Sequence, residues 1–118
     1  MTASPHFSLK LRLHRGDAIA LGPGKMELLE ALQKTGSISS AARSMGMSYR
    51  RAWLLVDTMN QCFKKPLVTT ATGGKGGGGA ELTDFGLEVL AHYRAMESKA
   101  LRSIETDMQQ LKALLADQ

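Results

Sequence analysis

The residues best suited to chemistry in this chain are basic and hydroxyl-bearing side chains near its middle. Ser48, Tyr49, Arg50 and Arg51 follow one another directly. Guanidinium groups can hold phosphates or contact guanine O6 and N7 through two hydrogen bonds, and hydroxyls can donate to phosphates or base edges. Residues 37–79 contain six basic residues and one acidic residue, which gives this segment a net charge of +5. This pattern favours binding of a polyanion, while a solvated basic face is the ordinary alternative.

The glycine run TGGKGGGGA, residues 72–80, places six of the twelve glycines around Lys75. It could be a nucleotide-phosphate loop, a flexible linker or a basic finger. The Walker A pattern fails, because Gly76 follows Lys75 and Thr69 stands in place of the leading glycine. A GxGxxG match at 74–79 is expected in such a run, and no βαβ unit follows it. Strand-like segments on both sides favour a finger whose backbone amides can approach phosphates closely.

No catalytic or metal-binding pattern accompanies these segments. His6, His14 and His92 are far apart, without a carboxylate or cysteine at ligand spacing. Cys62 is the single cysteine, which is typical of a reducing compartment. No stretch of the sequence has the composition of a signal peptide or a bilayer span. The sequence therefore predicts a cytoplasmic protein that is not an enzyme and uses no cofactor or metal.

The 118 residues are enough for one domain that positions these groups. Apolar and polar side chains alternate in FSLKLRLHRG, residues 7–16, which predicts a half-buried strand, and residues 18–21 form its returning partner. A helix then begins at Gly22-Pro23 and ends at Gly36, as proline near the first turn and glycine after the last turn indicate.

Two further helices joined by a tight turn at Gly46 predict a helix-turn-helix. Ser37 or Ser39 can cap the first of them, and Ser48 can cap the second. A strand–loop–strand hairpin over residues 67–83, which contains the glycine run, follows directly as a wing. The predicted fold is mainly α with a small β component: a winged helix-turn-helix behind an N-terminal strand hairpin.

The apolar stripe of the second helix of this pair decides which side chains face outward. Ala52, Val56 and Met59 fall on one side at helical spacing, so Tyr49, Arg50, Trp53 and Leu54 lie away from it. Residues near the N-terminus of a recognition helix are those that enter the DNA major groove. A lone tryptophan is as often part of the core as of a binding surface, and both placements stay open for Trp53.

The C-terminal segment has no glycine or proline after Leu87, which predicts one long helix over residues 86–118. The apolar residues in its first half lie on a different helix face from those in its second half. The first half is therefore predicted to pack on its own domain and the second half on another surface. The late residues step by three and four, the spacing of a coiled-coil seam. The predicted dimerisation residues are Leu101, Ile104, Met108, Leu111 and Leu115.

Three segments resemble the N-terminal DNA-binding domain of ModE, the molybdate-responsive transcription regulator, which is related to LysR-type winged helices. They are GSISSAARSMGMSYRRAW (36–53), MNQ (59–61) and ATGGKGGGGAELTDFG (71–86). The resemblance implies a homodimer that reads a palindromic operator near genes for molybdate uptake or molybdenum-cofactor use. It also implies DNA readers at residues 48–51 and a DNA-contacting wing at residues 72–75.

ModE also carries C-terminal domains that bind molybdate, whereas this chain stops after its last helix. A stand-alone DNA-binding subunit is therefore expected, with sensing supplied by a separate partner protein or another ligand. Double-stranded DNA and a second copy of the chain are the other expected partners. The predicted DNA-binding residues are Ser37, Ser39, Arg43, Ser48, Tyr49, Arg50, Arg51, Trp53, Leu54, Thr70, Thr72, Gly73, Gly74 and Lys75.

A different class of function is the alternative. The mixed apolar phase of residues 87–115 also fits a dimeric adaptor whose last helix docks a separate sensor or enzyme, with weak DNA binding. A nucleotide- or oxyanion-binding enzyme is a more distant third.

Overall fold

The computed structural model describes residues 4–74 and 77–117. One antiparallel hairpin precedes the helices along the chain, and a second lies between the third and fourth helices. The order of elements is β1 (Leu13–Arg15), β2 (Ala18–Leu21), α1 (Pro23–Thr35), α2 (Ile38–Ser44), α3 (Tyr49–Cys62), β3 (Val68–Gly74), β4 (Gly77–Leu82), α4 (Asp84–Ser103) and α5 (Glu105–Lys112). The predicted class is confirmed: a mainly helical winged helix-turn-helix with an N-terminal hairpin and a helical C-terminal segment.

The first strand is shorter than the alternation of residues 7–16 predicts. Only Leu13–Arg15 pair with β2, through a turn in which Gly16 has φ +60. The preceding segment is held by a helix instead, since the Tyr93 hydroxyl of α4 donates to the Leu11 carbonyl at 2.7 Å. A four-residue partner strand cannot pair with ten residues. Of the alternating apolar side chains, Leu9 and Leu11 are half-buried, whereas Phe7 and Leu13 are exposed.

The helices of the predicted pair begin and turn at the residues that the sequence indicates. Ser37 Oγ accepts a hydrogen bond from the Ser40 amide at 3.1 Å and caps α2. Ser48 Oγ accepts from the Arg51 amide at 3.1 Å and caps α3. Gly46 turns the chain between these helices with φ +69, a left-handed conformation that glycine adopts without steric cost. The two helices of the predicted pair are therefore capped and joined by their own residues.

The core lies where α1, α2 and α3 meet the foot of the second hairpin. Ala52, Val56 and Met59 are buried as predicted, and Phe63 is half-buried against Phe85, with ring centroids 6.3 Å apart. Burial of such apolar side chains stabilises a domain by roughly 1.5–3 kcal/mol for each large one. The largest fully buried side chains are Met26, Leu28, Leu29, Leu32, Met59 and Leu67.

The C-terminal segment is helical but is not one helix over residues 86–118. It divides into α4 and α5 at Ile104, which has φ −113 and ψ 13. The Ser103 hydroxyl donates to the Ala100 carbonyl at 2.7 Å, and such local bonds compete with the helical ladder. α4 packs on the domain through Leu90 and Tyr93, whereas α5 has no buried residue. Among the described residues, no helix combines the length and apolarity needed to cross a membrane.

Candidate nucleic-acid interface

One side of α3 faces the core and the other faces solvent. Tyr49, Trp53 and Leu54 have relative exposures of 55%, 44% and 45%, and Arg50 is also exposed. Core packing of Trp53, one of its two open placements, is therefore wrong. The outward face of α3 combines a guanidinium, a phenol and apolar side chains, which is a surface able to enter a groove.

Arg51 lies on a different side of α3 from Arg50. Partial burial lowers the pKa of Lys25 on α1; among nearby groups, Cys62 raises it and Arg51 lowers it. Arg51 and Cys62 are eleven positions apart, close to three helical turns, so they lie on the same side of α3. Arg50 is displaced by about 100° around the helix, on the side of Leu54. The two guanidinium groups are therefore suited to different contacts.

The predicted hydroxyls lie at the starts of α2 and α3. Ser39 and Ser48 are exposed and Ser37 is half-buried. The oxygens of Ser37 and Ser48 accept cap hydrogen bonds, which leaves each hydroxyl proton free to donate to an anion. Arg43, near the end of α2, is exposed. These groups add donors and positive charge beside the start of α3.

A cleft of about 150 Å³ joins the helix-turn-helix to the second hairpin. Its walls come from the start of α2, the start of α3 and both strands of the hairpin. The Ala80 amide donates to the Gly36 carbonyl at 2.8 Å, which ties β4 to the turn before α2. Four predicted residues from separate parts of the chain line this cleft: Ser37, Ser39, Tyr49 and Thr70. The second hairpin and the N-terminus of α3 therefore lie on the same side of the molecule.

The tip of the hairpin is described only in part. Thr72, Gly73 and Gly74 belong to β3, and the structure describes their backbone alone. Lys75, the predicted phosphate contact of the tip, lies outside the described residues. In residues 4–74 and 77–117, no group of three His, Cys, Asp or Glu side chains is arranged to hold a metal ion.

Residues 24–87 match the family model of bacterial regulatory helix-turn-helix proteins of the lysR family. This span runs from the first turn of α1 through the hairpin to the first turn of α4. The chain belongs to the lysR family of regulatory helix-turn-helix proteins. That family consists of DNA-binding transcription regulators and is not a class of enzymes.

Individual relatives of this lysR-family chain agree with the predicted resemblance. The molybdenum transport protein ModE of Azotobacter vinelandii is 42% identical over 97 residues, which cover 82% of this chain and 36% of that protein. The transcriptional regulator ModE of Yersinia pestis is 41% identical over 97 residues, covering 80% and 37%. The molybdenum-pterin-binding protein MopB of Rhodobacter capsulatus is 46% identical over 91 residues, covering 75% and 34%. The resemblance to ModE is confirmed, and the chain spans about a third of the length of these relatives.

Sequence reasoning missed one polar residue of this lysR-family domain. In the sequence Asn60 is the middle residue of the MNQ segment, and no role is predicted for it. Its side chain makes three hydrogen bonds to the backbone at the foot of β3, at Leu67 and Val68. An asparagine in the last turn of an otherwise apolar stripe is a signal for such a contact, but its partner cannot be read from spacing.

Proposed function

We propose that this chain is a transcription regulator that binds a palindromic DNA operator as a homodimer, in the cytoplasm, and is linked to molybdate uptake or molybdenum metabolism. The observation that carries the proposal is the common side shared by the start of α3 and the hairpin, with Tyr49 and Thr70 in one cleft. Membership of a regulator family supports DNA as the partner. The names of the relatives support the molybdenum link.

In this proposal α3 enters the major groove with its N-terminal residues. Arg50 is the base reader, because it lies on the outward side and can contact guanine through two hydrogen bonds. Arg51, on a different side of α3 from Arg50, holds a backbone phosphate. Tyr49, Trp53 and Leu54 pack against the groove, where their exposed apolar surface is covered.

The hydroxyls and the hairpin supply the phosphate contacts. Ser37, Ser39 and Ser48 donate from the two helix starts, and Arg43 adds a charge. The hairpin follows the DNA backbone with two threonine hydroxyls on β3, close backbone approach at its glycines, and a lysine at its tip. These hairpin residues are Thr70, Thr72, Gly73, Gly74 and Lys75.

The proposed dimer interface is the apolar surface of the C-terminal helices. Ile104, Leu111 and Leu115 have relative exposures of 39%, 55% and 56%, and all three are large apolar side chains that a monomer leaves in water. Lys112 Nζ lies 5.8 Å from the ring centroid of Phe7, so the N-terminal segment lies beside α5 and adds its own exposed apolar residue. Leu101 and Met108, both half-buried, extend this surface. Pairing would place two recognition helices about 34 Å apart, one turn of DNA.

A fluorescence anisotropy titration against the chain's own upstream promoter tests the function. Specific binding should exceed binding to a scrambled duplex at the same salt concentration by roughly 10³-fold or more. Equal affinity for the two duplexes would contradict the proposal. Sedimentation of the free protein and of the complex gives the number of copies on each duplex.

The exposed surface of α5 also permits a separate sensor protein as a partner, which the adaptor alternative requires. An adaptor would bind that partner with DNA affinity that ignores sequence. The titration above separates the two functions, because only a regulator discriminates operator from scrambled DNA. Family membership favours the regulator.

A further inference from the structure

Asn60 is the side chain that joins the last turn of α3 to the foot of β3. Its Nδ2 donates to the Val68 carbonyl at 3.0 Å. Its Oδ1 accepts from the amides of Leu67 at 2.8 Å and Val68 at 3.2 Å. None of these partners belongs to α3, so Asn60 does not cap its own helix. One side chain instead satisfies three backbone groups at the point where the hairpin begins.

The same backbone is held from the opposite side by the start of α4. The Thr83 hydroxyl donates to the Pro66 carbonyl at 2.8 Å, and the Thr83 amide donates to the Leu67 carbonyl at 2.9 Å. Gly86 packs so closely on Leu67 that a Cβ at this position would overlap the Leu67 carbonyl oxygen. Leu67, itself fully buried, is therefore fixed between α3 and α4. The foot of the hairpin has little freedom as long as both sets of contacts hold.

We propose that Asn60 is a positioning residue for DNA binding: it fixes the direction of the hairpin relative to α3, so that both engage one duplex without rearrangement. This inference rests on the DNA-binding function proposed above. Without the three bonds, two amides and a carbonyl lose their partners and the hairpin samples several directions. DNA must then order the hairpin on binding, and that loss of freedom weakens the complex.

The first test needs no DNA. Asn60→Ala removes all three bonds, and Gln61→Ala is the matched control. Among the described residues the exposed Gln61 amide bonds Asp57 alone, within α3, at 2.8 Å. Amide hydrogen exchange at Leu67 and Val68 should accelerate about tenfold or more in Asn60→Ala, with no change at Val56 in α3. The control should match the wild type at all three sites. Unchanged exchange at Leu67 and Val68 would overturn the inference.

The second test uses operator duplexes in which single phosphates are replaced by neutral methylphosphonates. In the wild type, replacement under the hairpin and replacement beside α3 should both weaken binding. In Asn60→Ala, replacement under the hairpin should no longer matter, and the salt slope should fall by about one to two units. Replacement beside α3 should keep its full effect.

The outcomes separate a positioning role from a general effect on folding. An Asn60→Ala protein that loses affinity equally at every phosphate, with the wild-type salt slope, would overturn the inference. Asn60→Asp is the second variant if Asn60→Ala does not fold; it keeps the acceptor for Leu67 and Val68 and should show an intermediate salt slope. If the wild type prefers the operator and Asn60→Ala has the same affinity, phosphate dependence and salt slope, only this inference fails. If the wild type itself ignores the operator, the proposed function fails and the positioning role fails with it.

Discussion

Arg94 on α4 holds Glu30 on α1 through two parallel contacts. Its Nε donates to Oε2 at 3.1 Å and its Nη2 donates to Oε1 at 2.5 Å. A third bond, from Nη1 to Glu97 Oε1 at 2.6 Å, keeps the guanidinium in place. These hydrogen bonds raise the pKa of Arg94 above its ordinary value. The C-terminal helix and the helix-turn-helix core are thereby connected across 64 positions of sequence.

Replacement of Arg94 by methionine should destabilise the domain by about 1 kcal/mol or less, because the pair is partly exposed and water screens it. Urea unfolding at low salt measures the change, and raising the salt concentration should reduce it. His92→Ala, which breaks only the exposed contact to Glu88 on the same helix, serves as control and should have a smaller effect. Equal effects of the two variants would mean that the link between α1 and α4 contributes nothing.

Replacement of Tyr93 by phenylalanine should lower the free energy of unfolding by about 0.5–1.5 kcal/mol, since the hydroxyl bonds the Leu11 carbonyl at 2.7 Å. Burial raises the pKa of the Tyr93 hydroxyl, and the nearby Glu97 raises it further. The neutral form is thus favoured on folding, so its contribution is complete below the unfolded pKa and is lost as the pH rises through the folded pKa. The difference in melting temperature between the wild type and Tyr93→Phe should therefore be smaller at pH 11 than at pH 8. An equal difference at the two pH values would show that ionisation of Tyr93 does not remove its contribution to stability.

Replacement of Gly86 by alanine should destabilise the domain by roughly 1–3 kcal/mol, because the added Cβ overlaps the Leu67 carbonyl. Gly24→Ala is the matched control: nothing lies within 4 Å of a Cβ there, and the residue is in α1. That substitution should stabilise the protein by about 0.5–1 kcal/mol. Urea midpoints compare the two, and equal midpoints would contradict the close packing at Leu67.

Arg50→Ala should weaken operator binding by roughly 1–3 kcal/mol and relax the preference at one base pair, as expected for a base reader. Lys75→Ala should weaken binding to all sequences alike and lower the salt slope by about one unit. Titrations against operator and single-substituted duplexes measure both effects. Lys99→Ala removes the same charge from α4 and should change neither quantity. Identical behaviour of Arg50→Ala and Lys75→Ala would refute the division into base and phosphate contacts.

Leu111→Glu should convert the proposed dimer to a monomer, because it places a charge in an apolar surface that a second copy would bury. Leu111 has a relative exposure of 55%, so the fold of the monomer should be unaffected. Analytical ultracentrifugation gives the mass, and circular dichroism checks the fold. Gln110→Glu adds the same charge at a neighbouring exposed position and should leave the mass unchanged. A wild-type monomer at micromolar concentration would contradict the dimer itself.

The sequence by itself determined the features that depend on neighbouring residues. Ser37, Ser48 and Thr83 cap the helices that follow them, each through an amide three positions later. Gly36 and Gly46 end helices in left-handed conformations. These signals are readable because a cap, a turn or a helical stripe involves residues within about one or two turns of each other.

Only the tertiary structure decided the features whose partners are remote in sequence. The first strand pairs only over Leu13–Arg15, while the Leu11 carbonyl accepts a hydrogen bond from Tyr93, 82 positions away. Trp53 is exposed, which is one of the two placements that the sequence left open. The break at Ile104 depends on a balance between helical propensity and packing that periodicity does not report. Asn60 and Arg94 have partners 8 and 64 positions away, and side-chain spacing along one helix carries no information about a contact made by another element.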